Sequence, residues 1–307
     1  MQLRQALKTG LKTLVESGVP SPQLAAELLL MHVLGRDRGY LYAYPEAEIS
    51  EEVTSRYFQS VEERATGKPT QYITGHQEFW GLDLEVTPDV LIPRPETEHV
   101  VEAVIDLAER QGFNREAPLR LVDVGTGSGC IALALAAEFP RAVLFATDIS
   151  RPTIDVASRN AARLGMSERV KFLETDLLAF FLDARAPGQG FDQDLNGAIN
   201  RSFLNTFDFV VSNPPYVAAD ELDRVQREVR QFEPRIAWGG LERGDEVYRR
   251  LIPQAHAVLK PGGYLVVEIG YNMGETVPTL LSGGWTQIEV RPDLAGIPRV
   301  VIARSCA

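Results

Sequence analysis

Apolar positions change their period twice along this chain. Over residues 1–67 they recur at helical spacing, with Leu3, Ala6, Leu7, Leu11, Leu14 and Val15 forming one stripe. Ser21 before Pro22 predicts a helix start, serine as N-cap and proline at the first helical position, running through LAAELLLMHVL to Gly35. A third start is predicted at Ser50, where Glu51 and Glu52 suit the positive end of a helix and Gly67 is the stop. Between residues 71 and 95 the period shortens. Phe79-Trp80-Gly81-Leu82 and Leu84-Glu85-Val86 read as short strands about a turn, closing at the rigid Pro93-Arg94-Pro95. From Glu96 onward helix and strand alternate. Helices are predicted near 97–110, 129–138, 151–164 and 245–259, and strands near 119–124, 142–147, 169–173, 207–212 and 263–269. Two last strands follow near 285–290 and 298–304. Such alternation predicts an α/β fold, a mostly parallel sheet with helices on both faces. The expected organisation is therefore a helical segment over 1–70, a β-hairpin linker over 71–95 and a large α/β domain over 96–307. Residues 184–206 carry no periodicity, which is unusual inside a compact domain.

Composition narrows the class. A chain of 307 residues, 45% hydrophobic and 24% charged, is ordinary globular material with ample core. No apolar run approaches the ~20 residues that span a bilayer, and the amino-terminal stretch interleaves Lys, Arg and Gln with its leucines, unlike a signal peptide. No membrane association is expected. Cys130 and Cys306 are the only cysteines, so no disulfide framework and no cysteine metal site is expected. His32, His76, His99 and His256 lack ligand spacing, and no metal is expected. The expected compartment is the cytoplasm, and the expected state a monomer. The formal charge is −11, and because residues 1–70 are nearly neutral, almost all of it lies beyond them. Nucleic-acid binders usually present a basic footprint, so this balance argues against direct nucleic-acid binding.

Candidate chemistry begins at Leu121-Val-Asp123-Val-Gly125-Thr126-Gly127-Ser128-Gly129, on a predicted strand-to-helix junction. Glycines permit a tight turn and close ligand approach, and the helix start offers unpaired N–H groups. The G-x-G-x-G spacing, with an acid two residues before the first glycine, differs from the G-x-G-x-x-G of dinucleotide loops. It resembles the loop of S-adenosyl-L-methionine (AdoMet) methyltransferases. Asp148 ends the next strand, where a carboxylate can hold ribose hydroxyls. Asp176 follows the third strand, at the position where that family contacts adenine, with Leu177 lining the same face.

The tetrad Asn213-Pro214-Pro215-Tyr216 follows the apolar strand at 207–212, at the sheet edge where open α/β folds bind ligands. Two prolines stiffen the turn. The side-chain oxygen of Asn213 and the carbonyl of Pro214 then form a pair of acceptors, which matches an NH2 group with two protons. A planar amide nitrogen is a poor nucleophile, so holding both protons aims it at the methyl donor and stabilises the growing positive charge. Tyr216 is read as an aromatic wall for the planar group.

With the tetrad in place, the chain resembles the protein-(glutamine-N5) methyltransferases that modify peptide-chain release factors. Beyond the loop and the tetrad, the likeness rests on Gly67-Lys-Pro69-Thr-Gln-Tyr72-Ile-Thr-Gly75 and Leu91-Ile-Pro93-Arg94-Pro95-Glu96-Thr97-Glu98. Glu233-Pro234-Arg235, Gly239-Gly240, Gly244-Asp245 and Tyr248-Arg249 extend it, so it covers nearly the whole length. The resemblance implies a class I, Rossmann-like AdoMet-dependent sheet carrying a helical substrate-docking domain. It implies AdoMet as cofactor, held by Asp123, Gly125, Thr126, Gly127, Ser128, Gly129, Asp148, Asp176, Leu177 and Asn213. It further implies catalysis by Asn213, Pro214 and Tyr216, with Pro215 in the substrate slot, on the glutamine of a Gly-Gly-Gln motif, tuning translation termination. The tetrad alone is shared with adenine-N6 methyltransferases. Two alternatives therefore stay open, a ribosomal-protein glutamine and the amino group of a nucleic-acid base. The stretch 184–206 is longer and more polar than that family's usual connection.

Overall fold

The computed structural model describes residues 1–183 and 203–306; of the aperiodic stretch expected at 184–206, residues 184–202 lie outside the described residues. The chain divides into two compact units. The first comprises Met1–His76, Val86–Pro88 and Val225–Glu233. It holds helices α1 (Leu3–Glu16), α2 (Pro22–Leu34), α3 (Arg38–Ala43), α4 (Glu51–Ala65) and α5 (Thr70–Thr74). α2 is apolar on nearly every side, and Ala25, Ala26, Leu29, Leu30 and Val33 are all buried, the pattern of a central helix. Around it pack Leu3 and Leu14 of α1 and Tyr57 and Val61 of α4.

Two helix starts that look alike in sequence differ in structure. Ser50 caps α4 as expected, its Oγ accepting from the Val53 N–H at 3.2 Å. Ser21 sits in the left-handed region at φ +48 and makes no side-chain cap, so Pro22 alone marks that start. The first unit also takes in Val225–Glu233, which periodicity could not foresee. Arg64 of α4, buried, donates from Nη2 to Glu228 Oε1, and the backbone of Gly67 leaves space beside Phe232.

The second unit comprises Gln77–Glu85, Asp89–Arg224 and Pro234–Ala307. The hairpin pairs β1 (His76–Phe79) with β2 (Leu82–Glu85), and its strands belong almost wholly to this unit rather than standing apart as a linker. The reason is side-chain anchoring: Arg159 donates to Glu85, and Arg163 to Asp83. A 3-10 turn at Pro95–Thr97 leads into α6 (Glu98–Arg110), followed by β3 (Arg120–Val124), α7 (Cys130–Glu138), β4 (Val143–Asp148), α8 (Arg151–Arg163) and β5 (Val170–Glu174). Then come α9 (Ala179–Leu182), β6 (Phe207–Ser212), the two-residue β7 (Val217–Ala218), α10 (Arg227–Phe232), α11 (Arg235–Trp238) and β8 (Gly239–Leu241). α12 (Glu246–Val258), β9 (Leu259–Glu268), α13 (Thr276–Leu280), β10 (Trp285–Pro292) and β11 (Pro298–Ser305) complete the described chain; of these elements, α10 falls in the first unit.

Seven strands form one sheet in the order β5-β4-β3-β6-β9-β11-β10. Pairing is parallel from β5 to β9, and β11 runs antiparallel to both its neighbours. Alternate residues feed two cores: Leu121, Val211 and Val266 face α6 and α7, whereas Val122, Val210 and Leu265 face α12 and α13. Continuous apolar runs such as Phe-Val-Val in β6 follow, since both faces of the strand are buried. The chain leaves β3 outward through β4 and β5, then returns to β6 on the other side of β3. That reversal opens a crevice at the carboxyl ends of β3 and β6.

Candidate active site

The crevice is lined by a cavity of about 330 Å³. Its floor is the glycine loop between β3 and α7. Gly125, Gly127 and Gly129 have φ of +71, +57 and +86, a left-handed series that side chains other than glycine resist. The loop is fixed from behind, as the Gly125 and Thr126 N–H groups donate to the Thr147 carbonyl at 2.8 and 2.9 Å. A Cβ built on Gly125 or Gly127 would meet nothing within 4 Å, so the open side of the loop gives directly onto space.

Three carboxylates stand at successive strand ends. Asp123 is buried, and its Oδ2 accepts from Thr126 Oγ1 at 2.6 Å and from the Ala132 N–H at 3.2 Å. Burial pushes its carboxyl up to about 7, with nearby Asp148 adding to the rise. Its other oxygen, Oδ1, is buried with no hydrogen-bond partner among the described residues. Asp148 reaches across to the loop: Oδ2 accepts from Gly127 N–H at 3.2 Å and Oδ1 from Ser150 N–H at 3.0 Å. Burial raises its carboxyl too, against these backbone donors. Asp176 faces the cavity paired with Arg250 of α12.

At the end of β6 the hydroxyl of Ser212 donates to the Val124 carbonyl at 2.6 Å, which ties the tetrad to the glycine loop. Asn213 faces the cavity while its Nδ2 donates to Thr97 Oγ1 at 3.0 Å. Thr97 donates in turn to Glu268 Oε2 at 2.6 Å, and Tyr216 donates to Glu268 Oε1 at 3.4 Å. Thr97 and Glu268 are both buried. Burial pushes the Glu268 carboxyl up to about 7, against the Thr97 hydroxyl and the charge of Arg299, which hold it down.

Of the residues expected to hold cofactor, Gly125, Thr126, Gly127, Ser128, Asp148, Asp176 and Leu177 line the cavity, as do Asn213 and Pro215. Asp123 and Gly129 shape the loop without lining it. Pro214 and Tyr216 do not line it either. Tyr216 is no wall of this cavity: its ring packs against the backbone at Gly270 and its hydroxyl turns to Glu268. Space around it is closed at Gly244, where a Cβ would lie 2.4 Å from the Tyr216 carbonyl oxygen. Sequence reasoning missed Thr97 and Glu268 beneath Asn213, Arg250 beside Asp176, and Arg94 and Ile149 on the cavity wall. Arg94 and Thr97 were within sight, in the Leu91–Glu98 run that carries part of the family likeness, but neither was read as a site residue; Arg94 was placed at the close of the linker. Glu268 gave no local signal. Among the described residues no group of three His, Cys, Asp or Glu side chains could hold a metal ion, and no helix is long and apolar enough to cross a membrane.

Comparison with known proteins agrees with this geometry. Residues 5–75 match the model of a PrmC N-terminal domain, and residues 116–283 that of a methyltransferase domain. The release factor glutamine methyltransferase of Koribacter versatilis (strain Ellin345) is 48% identical over 99% of both chains. The chain belongs to the release factor glutamine methyltransferase family. The Moorella thermoacetica (strain ATCC 39073 / JCM 9320) protein of that name is 40% identical, over 99% of this chain and 98% of its own. Among solved structures, the hMettl16 catalytic domain in complex with MAT2A 3'UTR hairpin 6 shares the fold at TM-score 0.53 and 18% identity, covering 81% of this chain and 82% of its own. Membership makes this an AdoMet-dependent methyltransferase in class, with the class I sheet and helical amino-terminal region described above.

Proposed function

We propose that this chain transfers a methyl group from AdoMet to the side-chain amide nitrogen of the glutamine in the Gly-Gly-Gln motif of a peptide-chain release factor. The observation that carries this reading is the orientation of Asn213. Its Nδ2 donates to Thr97, which turns Oδ1 away from Thr97, and in this reading that oxygen is the acceptor offered to the cavity that Asn213 lines. Only an acceptor there suits an incoming NH2. The names and near-complete coverage of the relatives support the choice of a release-factor glutamine over another amine.

The residues present fit the cofactor. AdoMet carries net positive charge, and Asp148 and Asp176 line the cavity with the unpartnered Oδ1 of Asp123 close behind the loop. Asp148 would hold the ribose hydroxyls, the loop N–H groups and Asp123 the amino-acid end, and Ile149 and Leu177 the adenine faces. Bound there, the cofactor supplies an electrophilic methyl on a sulfonium sulfur. Asn213 Oδ1 and the Pro214 carbonyl accept the two protons of the glutamine amide. They aim its nitrogen along the line of attack and stabilise the charge that grows on it as the C–S bond breaks and the N–C bond forms. One amide proton then leaves to water. Pro215 and Tyr216 keep the turn rigid. The helical unit, residues 1–70 with its extension to His76, would hold the release factor, and the reading places the reaction in the cytoplasm, where translation terminates.

Asn213→Ala tests the assignment. Methyl transfer should fall about 10²–10³-fold, the usual loss when one preorganised polar partner of the transition state is removed. AdoMet binding should change little. Wild-type turnover in this variant would contradict the role.

A further inference from the structure

An asparagine amide has two ends of nearly the same shape, one accepting and one donating, and either could face the cavity. Only the oxygen helps a substrate NH2; a turned amide would set donors against donors. We propose that Glu268, acting through Thr97, sets the direction of the Asn213 amide, so that Glu268 and Thr97 are positioning residues for methyl transfer. This rests on the glutamine-amide reading above.

The chemistry of one hydroxyl carries it. Thr97 Oγ1 lies 2.6 Å from Glu268 Oε2 and 3.0 Å from Asn213 Nδ2. A threonine has a single proton to give. An ionised Glu268 has none, so the hydroxyl proton goes to the carboxylate, and the Thr97 oxygen is left only to accept. Asn213 must then offer it N–H and turn Oδ1 the other way. Thr97 and Glu268 are both 2% exposed, so bulk water has little access to repair a wrong choice. Tyr216 donates to the second carboxylate oxygen, and Tyr248 donates to the Glu268 main-chain carbonyl at 2.7 Å, which together hold the end of β9 in place. If Glu268 takes up a proton, the direction can reverse: the acid donates to Thr97, Thr97 donates onward, and the turned amide is stabilised instead.

The charged and titratable groups around Glu268 are Arg299 of β11, Glu96 of the turn that carries Thr97, Tyr216, Tyr248 of α12 and Cys130 of α7. Arg299 favours the carboxylate and Glu96 opposes it. With burial, this balance leaves Glu268 at about 7, so the switch of direction falls near neutral pH.

Steady-state methylation of a full-length release factor by wild type, Thr97→Val, Thr97→Ser and Glu268→Gln, from pH 6 to 8.5, tests the proposal. Thr97→Val should lower kcat about 10–100-fold, the cost of one buried hydrogen-bond partner lost. Its affinity for AdoMet, read by calorimetry, should stay within about twofold. Thr97→Ser keeps the hydroxyl and should retain kcat within about threefold. Wild-type kcat/KM should fall as pH drops below about 7. Glu268→Gln still accepts from Thr97 but has no proton to gain, so its profile should lose that acid limb, whatever its plateau. Wild-type kcat in Thr97→Val, or an unchanged acid limb in Glu268→Gln, overturns the proposal. A wild-type enzyme that methylates no glutamine amide sinks the functional reading itself, a separate and earlier failure.

Discussion

Two glutamates, one in each unit, expose almost no surface of their own and behave in opposite ways: Glu27 lies just under the exposed side chains of Arg38 and Tyr42, whereas Glu268 lies deep in the catalytic unit. Glu27 in α2 is 0% exposed and Glu268 at the end of β9 is 2% exposed. Burial pushes both carboxyls up. Around Glu27 that push is outweighed: Tyr42 donates at 2.6 Å, Gln23 at 2.5 Å, and Arg38 pairs with it at 2.7 Å, so its carboxyl ends below the usual range. Glu268 has one short donor, Thr97, one long one, Tyr216, and no ion-pair partner among the described residues; Arg299 is spent on Asp293. It ends near neutrality instead. Depth of burial and supply of partners together decide whether a carboxylate with little exposed surface is a clamp or a poised group. The helical unit holds the clamp. The catalytic unit leaves its carboxylate under-supplied, one hydrogen bond removed from Asn213, which faces the cavity.

The contrast can be broken from either side. Glu27→Ala removes the shared acceptor of three donors and leaves a hole, and should cost about 3 kcal/mol in the denaturation of the helical unit. In the wild type this stabilisation should be present above the ordinary carboxylate range. It should fade as pH falls through the lowered value of the folded Glu27. Glu268→Gln should do the reverse. Because the folded pKa of Glu268 is raised, its burial costs stability in full above about pH 7 and nothing below the ordinary carboxylate value. The glutamine variant should therefore be more stable than wild type at pH 8, by at most about 3–4 kcal/mol, with the gain vanishing on acidification. Urea titrations at pH 5 and pH 8 distinguish the two slopes. A smaller effect belongs to Gly10, mid-helix in α1, where a Cβ would lie within 2.2 Å of the Tyr57 hydroxyl. Alanine is the better helix former by about 1 kcal/mol, yet overpacking should win, and Gly10→Ala should lower the melting temperature of the helical unit slightly.

The sheet was legible because its strands are buried on both faces and separated by amphipathic helices; periodicity alone places β3 to β6 and their helices within a few residues. The glycine loop and the strand-end acids were legible because their chemistry is local, a turn of three left-handed glycines and a carboxylate at each strand end. Asn213 was legible for the same reason. What holds Asn213 was not. Thr97 and Glu268 stand 171 residues apart in the chain and meet only when β9 pairs beside β6. In sequence Glu268 is merely the polar end of an apolar strand. Tyr216 does not line the cavity that its neighbour Pro215 lines, since its own ring turns toward Gly270. Membership of Val225–Glu233 in the first unit was not legible, because the segment joins that unit from far along the chain.

The methyl acceptor proposed for this enzyme is a glutamine amide of a release factor. Incubation of wild-type protein with a full-length release factor and isotopically labelled AdoMet, followed by mass spectrometry of the digested protein, tests it most directly. One labelled methyl is expected, on the side-chain nitrogen of the glutamine in Gly-Gly-Gln. Label on a ribosomal protein or on a nucleic-acid base, with that glutamine unmodified, would contradict it.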